Sequence, residues 1–135
     1  MEVTTSRKPA PPLRTFSKDL AFSLGGHYSP RGKAGLGDIT GIDDDLLIVS
    51  KSGRYFLIEV FHDEEPVFGF MFTSYSVENR EGELIRGLVT GNQIIYDKLS
   101  SYIKVCKTED NQDVLIFDGA QRRRYVLRLR QPKEE

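Results

Sequence analysis

Apolar and polar positions alternate with a period of two along much of the chain, most densely from Asp45 to Tyr75. Three apolar segments there are cut by Ser52-Gly53 and by His62-Asp63-Glu64-Glu65-Pro66, and Val, Ile, Phe and Tyr fill them. Segments this short, made of β-branched and aromatic residues, suit a pleated surface, so three consecutive antiparallel strands are expected. In Arg54 to Phe61 the alternate positions Phe56, Ile58 and Val60 are wholly apolar, and Phe68, Phe70 and Phe72 form the matching row in the next strand. Both rows are expected to face inward. The opposite face also carries apolar residues, Leu57, Phe61, Met71 and Tyr75. Something must cover such a stripe, which makes it the candidate association surface.

Flanking segments extend the pattern. Residues 1–12, with three prolines, read as a disordered leader. Leu13, Phe16, Leu20 and Leu24 fall at helical spacing and Gly25-Gly26 follows, so a short helical segment is one reading and an irregular segment tucking Phe16 and Phe22 under the core is the other. His27-Tyr28-Ser29 opens the first strand, stopped by Pro30. Beyond the central three, strands are expected over Glu83 to Thr90, Gln93 to Tyr96 (after a Gly91-Asn92 hairpin turn), Ser101 to Lys107, Asp113 to Phe117 and Arg122 to Arg130. Glu109-Asp110-Asn111 reads as a turn, and residues 131–135 as a frayed tail. Short connections make sequential strands pair. The expected fold is therefore all-β: a single up-and-down antiparallel β-barrel of about eight strands over residues 13–130, closed because closure removes exposed edges.

Composition narrows the classes. A chain of 135 residues holds one core of ordinary apolar content. No run approaches a membrane span, and the first residues lack the apolar stretch of a secretory signal, so a cytoplasmic location is expected, or a periplasmic or secreted one if a signal was removed. Cys106 is the one cysteine, which excludes an internal disulfide and reads as a packed thiol. Charge is uneven: residues 1–37 carry +4, residues 38–118 carry −9 and residues 119–135 carry +4. An acidic middle argues against a nucleic-acid coat. Arg122, Arg124, Arg128 and Arg130 share one face of the last strand, either as an anion-seeking ridge or as a solvated face paired with acidic neighbours.

The search for chemistry yields little. His27 and His62 stand apart with no ligand spacing. The segment RGKAGLGDITGIDDD carries four glycines and four aspartates. Gly32, Gly35 and Gly37 could cradle an anion, but no strand-to-helix context or Gly-Lys-Ser/Thr ending accompanies them. Asp38 and Asp43-Asp44-Asp45 lack the spacing of a calcium loop. No nucleophile elbow, HExxH, Walker or dinucleotide signature occurs, so no enzyme, metal or cofactor is expected.

A short N-terminal segment, Gly26-His27-Tyr28 at the first strand, a long first loop, hairpin-connected strands and a basic closing strand together resemble the lipocalin-like (calycin) barrels over residues 20–130. Those proteins carry Gly-x-Trp at the first strand, and here Tyr28 stands in its place, with Arg122 or Arg124 as the packing arginine. The leading expectation is a non-enzymatic barrel that binds an apolar or amphipathic small molecule. Phe56, Ile58, Phe68, Phe70 and Phe72 would line its interior, Arg86 would supply an inward cation, and the loop from Arg31 to Asp45 would gate the mouth. The rival is a protein-interaction or inhibitor module with a filled core, acting through the outer stripe, as a homo-oligomer or with a protein partner, or through the Asp-rich loop.

Overall fold

The computed structural model describes residues 1–6, 9–30, 45–109 and 112–130. The chain is mostly β. Among the described residues nine strands form one sheet: β1 (Glu2–Thr5), β2 (His27–Tyr28), β3 (Asp45–Ser52), β4 (Tyr55–His62), β5 (Glu65–Asn79), β6 (Leu88–Thr90), β7 (Val105–Lys107), β8 (Val114–Asp118) and β9 (Arg123–Leu129). Two helices lie among the described residues, α1 (Pro11–Leu24) and α2 (Gln93–Leu99).

The central expectation holds: β3, β4 and β5 pair in succession, antiparallel, around the turns at Gly53 and Asp63. Closure does not. The strand order is β2-β1-β3-β4-β5-β9-β8-β6-β7, an open mixed sheet with β2 and β7 at its edges. At each edge two parallel strands are joined through a helix, β1-α1-β2 on one side and β6-α2-β7 on the other. Parallel neighbours need such a crossover, whereas a meander of hairpins would have made every pair antiparallel.

Several local expectations change with this topology. Residues 2–5 are an inner strand with parallel partners on both sides, not a leader, and Val3 is fully buried. The stretch Gln93 to Tyr96 is helix rather than strand, because the Asn92 side chain accepts from the Ile95 N–H at 3.0 Å and caps it. Ile95 and Leu99, one turn apart, then bury together. Only the ends of the expected strands at 83–90 and 101–107 are strand. Residues 110–111 and 131–135 lie outside the described set.

Of the two readings of this segment, helical and irregular, the helix is the one that forms, as α1. Pro11 and Pro12 occupy the first positions, where a missing N–H costs nothing. Gly25 ends the helix at φ 68°, a conformation that favours glycine, while Gly26 donates to the Ala21 carbonyl at 2.9 Å. Leu13, Phe16 and Leu20 face the sheet. Phe16 stacks on Phe72 at 5.5 Å and meets Phe117 and Tyr125 edge-on at 5.2 and 5.4 Å. The core is this helix seated on a row of inward rings.

Candidate functional site

Strand register sets which side chains meet. Phe56 pairs with Phe72, Ile58 with Phe70 and Val60 with Phe68, so the predicted inward rows do share the core face. Among the described residues they pack into the core cluster. Phe72 is stacked against both Phe16 and Phe56, and Ile58, Phe70 and Phe72 are buried in protein contacts. Phe68 packs beside Phe70, with ring centroids 6.2 Å apart.

The outer stripe is partly rearranged. Leu57 and Met71 do pair on the other face, half-buried. Arg130 reaches across that face, its Nη1 3.4 Å from the Met71 sulfur and its guanidinium over the Tyr55 ring. Phe61 packs on Leu46 and Ile48. Tyr75 turns to the opposite face. A bulge between Phe72 and Ser74 inserts one extra residue in β5, so that Tyr75 pairs with Leu127 and joins the inward rings. Its centroid lies 4.9 Å from Phe16 and 5.6 Å from Phe56.

This bulge brings Tyr75 to a cleft on the described surface. Residues near the start of α1 and the end of the aromatic row line a cleft of about 310 Å³. Ser6, Pro9, Ala10, Pro12 and Leu13 form one wall; Lys51, Phe56 and Tyr75 form the other. The size sits at the lower end of small-molecule sites. Lys51 lies opposite Phe56 in the β3–β4 register and holds its ammonium 5.5 Å from that ring's centroid. Burial pushes the Tyr75 phenol above its ordinary pKa, which keeps the hydroxyl protonated at neutral pH.

Arg86 is not an interior cation. It is exposed, donates to the Phe22 carbonyl at 2.8 Å and stacks over the Phe22 ring. Gly87 donates to the Ser23 carbonyl and accepts from the Ser23 hydroxyl, so residues 86–87 fasten the loop to the end of α1. The chain curves away there because α1 leaves its last carbonyls open to donors.

The arginines of β9 divide between the two faces. This strand is inside the sheet, between β5 and β8, so it is not an edge. Arg124 grips Asp118 with 2.7 and 3.2 Å bonds. Asp118 is buried, which raises its pKa, but the Arg124 bonds, the Ile85 N–H and the charges of Arg124 and Arg80 outweigh that and hold it below the ordinary value. On the helix side, buried Asp19 accepts from Arg123 at 2.7 and 3.1 Å, from the Ala120 N–H at 3.1 Å and from the Tyr125 hydroxyl. Burial and then Asp19 raise the Tyr125 pKa. Gly119 permits this junction, since a Cβ there would stand 2.6 Å from the Asp19 side chain. All these carboxylate oxygens are spent on internal donors, so the junction holds structure together.

His62 contacts Asp45 at 2.6 Å and lies 5.5 Å from the Tyr102 ring, tying the β4–β5 turn to the start of β3. No group of three metal-ligating side chains occurs among the described residues. Cys106 is exposed on edge strand β7 rather than packed. The glycine-rich segment, with Gly32, Gly35, Gly37, Asp38, Asp43 and Asp44, lies outside the described residues, as does the expected gate apart from Asp45. No helix among the described residues is long and apolar enough to cross a membrane.

The cleft was only half visible in the sequence. Phe56 stood out as an inward ring, and Tyr75 as an aromatic, but on the wrong face. Lys51 and the proline wall carried no signal, because their meeting depends on where the N-terminal segment crosses the sheet.

No family model and no curated protein matches this chain. Among solved structures, the crystal structure of Mil, an archaeal Imp4-like protein, is similar over 97% of this chain and 97% of its own, at TM-score 0.67 and 20% identity. A likeness at that identity shows a shared fold.

Proposed function

We propose that this protein is a non-enzymatic binding module that takes the apolar body of a small molecule in the cleft between the segment leading into α1 and the Phe56–Tyr75 edge of the core. The observation that carries the reading is the wall composition: two rings and two prolines around a concave surface of about 310 Å³. Rings and prolines present apolar area while losing little conformational freedom on binding, so the contact keeps most of its hydrophobic gain. The close packing of the ring row supports a site at the flank of the sheet in place of its centre.

The neutral fluorophore N-phenyl-1-naphthylamine tests this. One molecule should bind per chain, and Phe56→Ala should weaken binding by about tenfold, the equivalent of about 1.4 kcal/mol, with the circular dichroism unchanged. Absence of binding, or loss on Phe70→Leu with none on Phe56→Ala, would contradict the cleft.

A further inference from the structure

We infer that the second half of β5 is an open strand edge, and that it joins the same edge of a second copy of this chain, antiparallel, about a two-fold axis at Val77.

Unmade backbone bonds are the first ground. The pairing of β5 with β4 ends at Phe72, while its pairing with β9 runs from Phe72 to Asn79. From Ser74 to Asn79 the strand therefore has a neighbour on one side alone among the described residues. Two bonds that flank β9 fix the phase of this ladder. Arg80 donates to the Arg122 carbonyl at 2.7 Å and Arg130 to the Met71 carbonyl at 3.0 Å, which puts the even-numbered residues of β9 on the bonding side toward β5. Ser74, Ser76 and Glu78 face Arg128, Val126 and Arg124 and spend their backbone groups there. The N–H and C=O groups of Tyr75, Val77 and Asn79 point the other way, where no described strand receives them. Val77 is 49% exposed on this edge. Residues 74–79 also lack a lysine, a proline or an inward charge, the usual guards against strand addition.

Self-complementarity is the second ground, and it selects the partner. An antiparallel bonded pair sets a free residue directly opposite a free residue. With Val77 on a two-fold axis, it lies opposite Val77 of the second copy, and Tyr75 lies opposite Asn79. Every free residue of the edge then meets a free residue, and each opposing pair exchanges both backbone bonds. Ser76 falls opposite Glu78, so no like charges stand directly across from one another. The exposed Val77 side chains cover each other. A two-fold contact of this kind uses one patch on both copies, as the commonest soluble dimers do. Tyr75 also lines the cleft, so Asn79 of the second copy comes to lie beside that wall.

Sedimentation velocity of the full chain across a concentration series tests this. A reversible monomer–dimer equilibrium is expected, and hydrogen exchange at the Val77 and Asn79 amides should slow as the dimer forms. Val77→Lys sets two ammonium groups together at the axis and should weaken the dimer by about tenfold or more. Val77→Glu should do the same. Mixing the two variants should restore a dimer, because a lysine then faces a glutamate across the axis. Val67→Lys, a like change at an exposed position in the other half of β5, should leave the equilibrium as it was. A chain that stays monomeric at every concentration overturns the inference and leaves the edge to a strand of another protein. A dimer indifferent to both Val77 substitutions places the contact elsewhere and overturns it as well. Failure of the mixture to recover, with both variants folded by circular dichroism, overturns the two-fold register.

Discussion

Single residues decide this structure where a side chain reaches a partner far along the chain. Asp118 is the sharpest case. Its pKa is held below the ordinary 3.8, chiefly by Arg124 once the opposing effect of burial is overcome. A carboxyl with a depressed folded-state pKa stabilises fully above its unfolded pKa, and that contribution fades as pH falls through the folded value. Asp118→Asn should therefore cost about 1.5–3 kcal/mol at pH 7, the scale of hydrogen bonds to a charged group. Urea unfolding of the two proteins should give curves that differ at neutral pH and converge below about pH 4. A constant offset down to pH 2 would mean that Asp118 does not titrate as described. Asp19 stands at the same junction, yet nothing local marks it. A lone aspartate on an amphipathic helix reads as solvated, and its partners Arg123 and Tyr125 lie more than a hundred positions away. Tyr75 failed differently: the period-two rule placed it outward, and one extra residue in β5 reversed its side.

Elements were legible where local pattern and tertiary contact agree. Strands β3 to β5 were, because ring rows and turn chemistry point the same way; α1 was half so, since its Leu13, Phe16 and Leu20 spacing is also its packing face but an irregular segment suited the sequence equally. Gln93 to Leu99 misled because Ile94 and Ile95 favour strands, and Asn92 serves a hairpin turn or a helix cap equally well. Residues 2–5 misled because a short polar strand has no signature when its stability comes from neighbours on both sides. Their position gives a clear expectation. Removing residues 1–6 should destabilise by about 3 kcal/mol or more, since it deletes buried Val3 and uncovers the β3 flank at Leu47 and Val49. Chemical denaturation measures it. An unchanged midpoint would mean that the segment is the unpaired leader suggested by its composition.

At the scale of the molecule, strand count was nearly right and closure was wrong, for a physical reason. Closing a sheet is one remedy for exposed edges and an uncovered apolar face. Here α1 covers the face with Phe16, and the two parallel crossovers end the sheet in short edge strands, β2 and β7. The ring row that suggested a hollow interior is instead the floor under a helix, and the concave apolar space lies where that helix begins. The placement of β9 between β5 and β8 was likewise beyond local patterns, since it depends on long-range pairing. The proposed ligand site is at this flank and not within the sheet. Intermolecular nuclear Overhauser contacts from N-phenyl-1-naphthylamine bound to the isotopically labelled full chain are the sharpest test. They should connect the ligand to the rings of Phe56 and Tyr75 and to Pro12 and Leu13; contacts to Ile58 and Phe70 in their place would contradict the proposal.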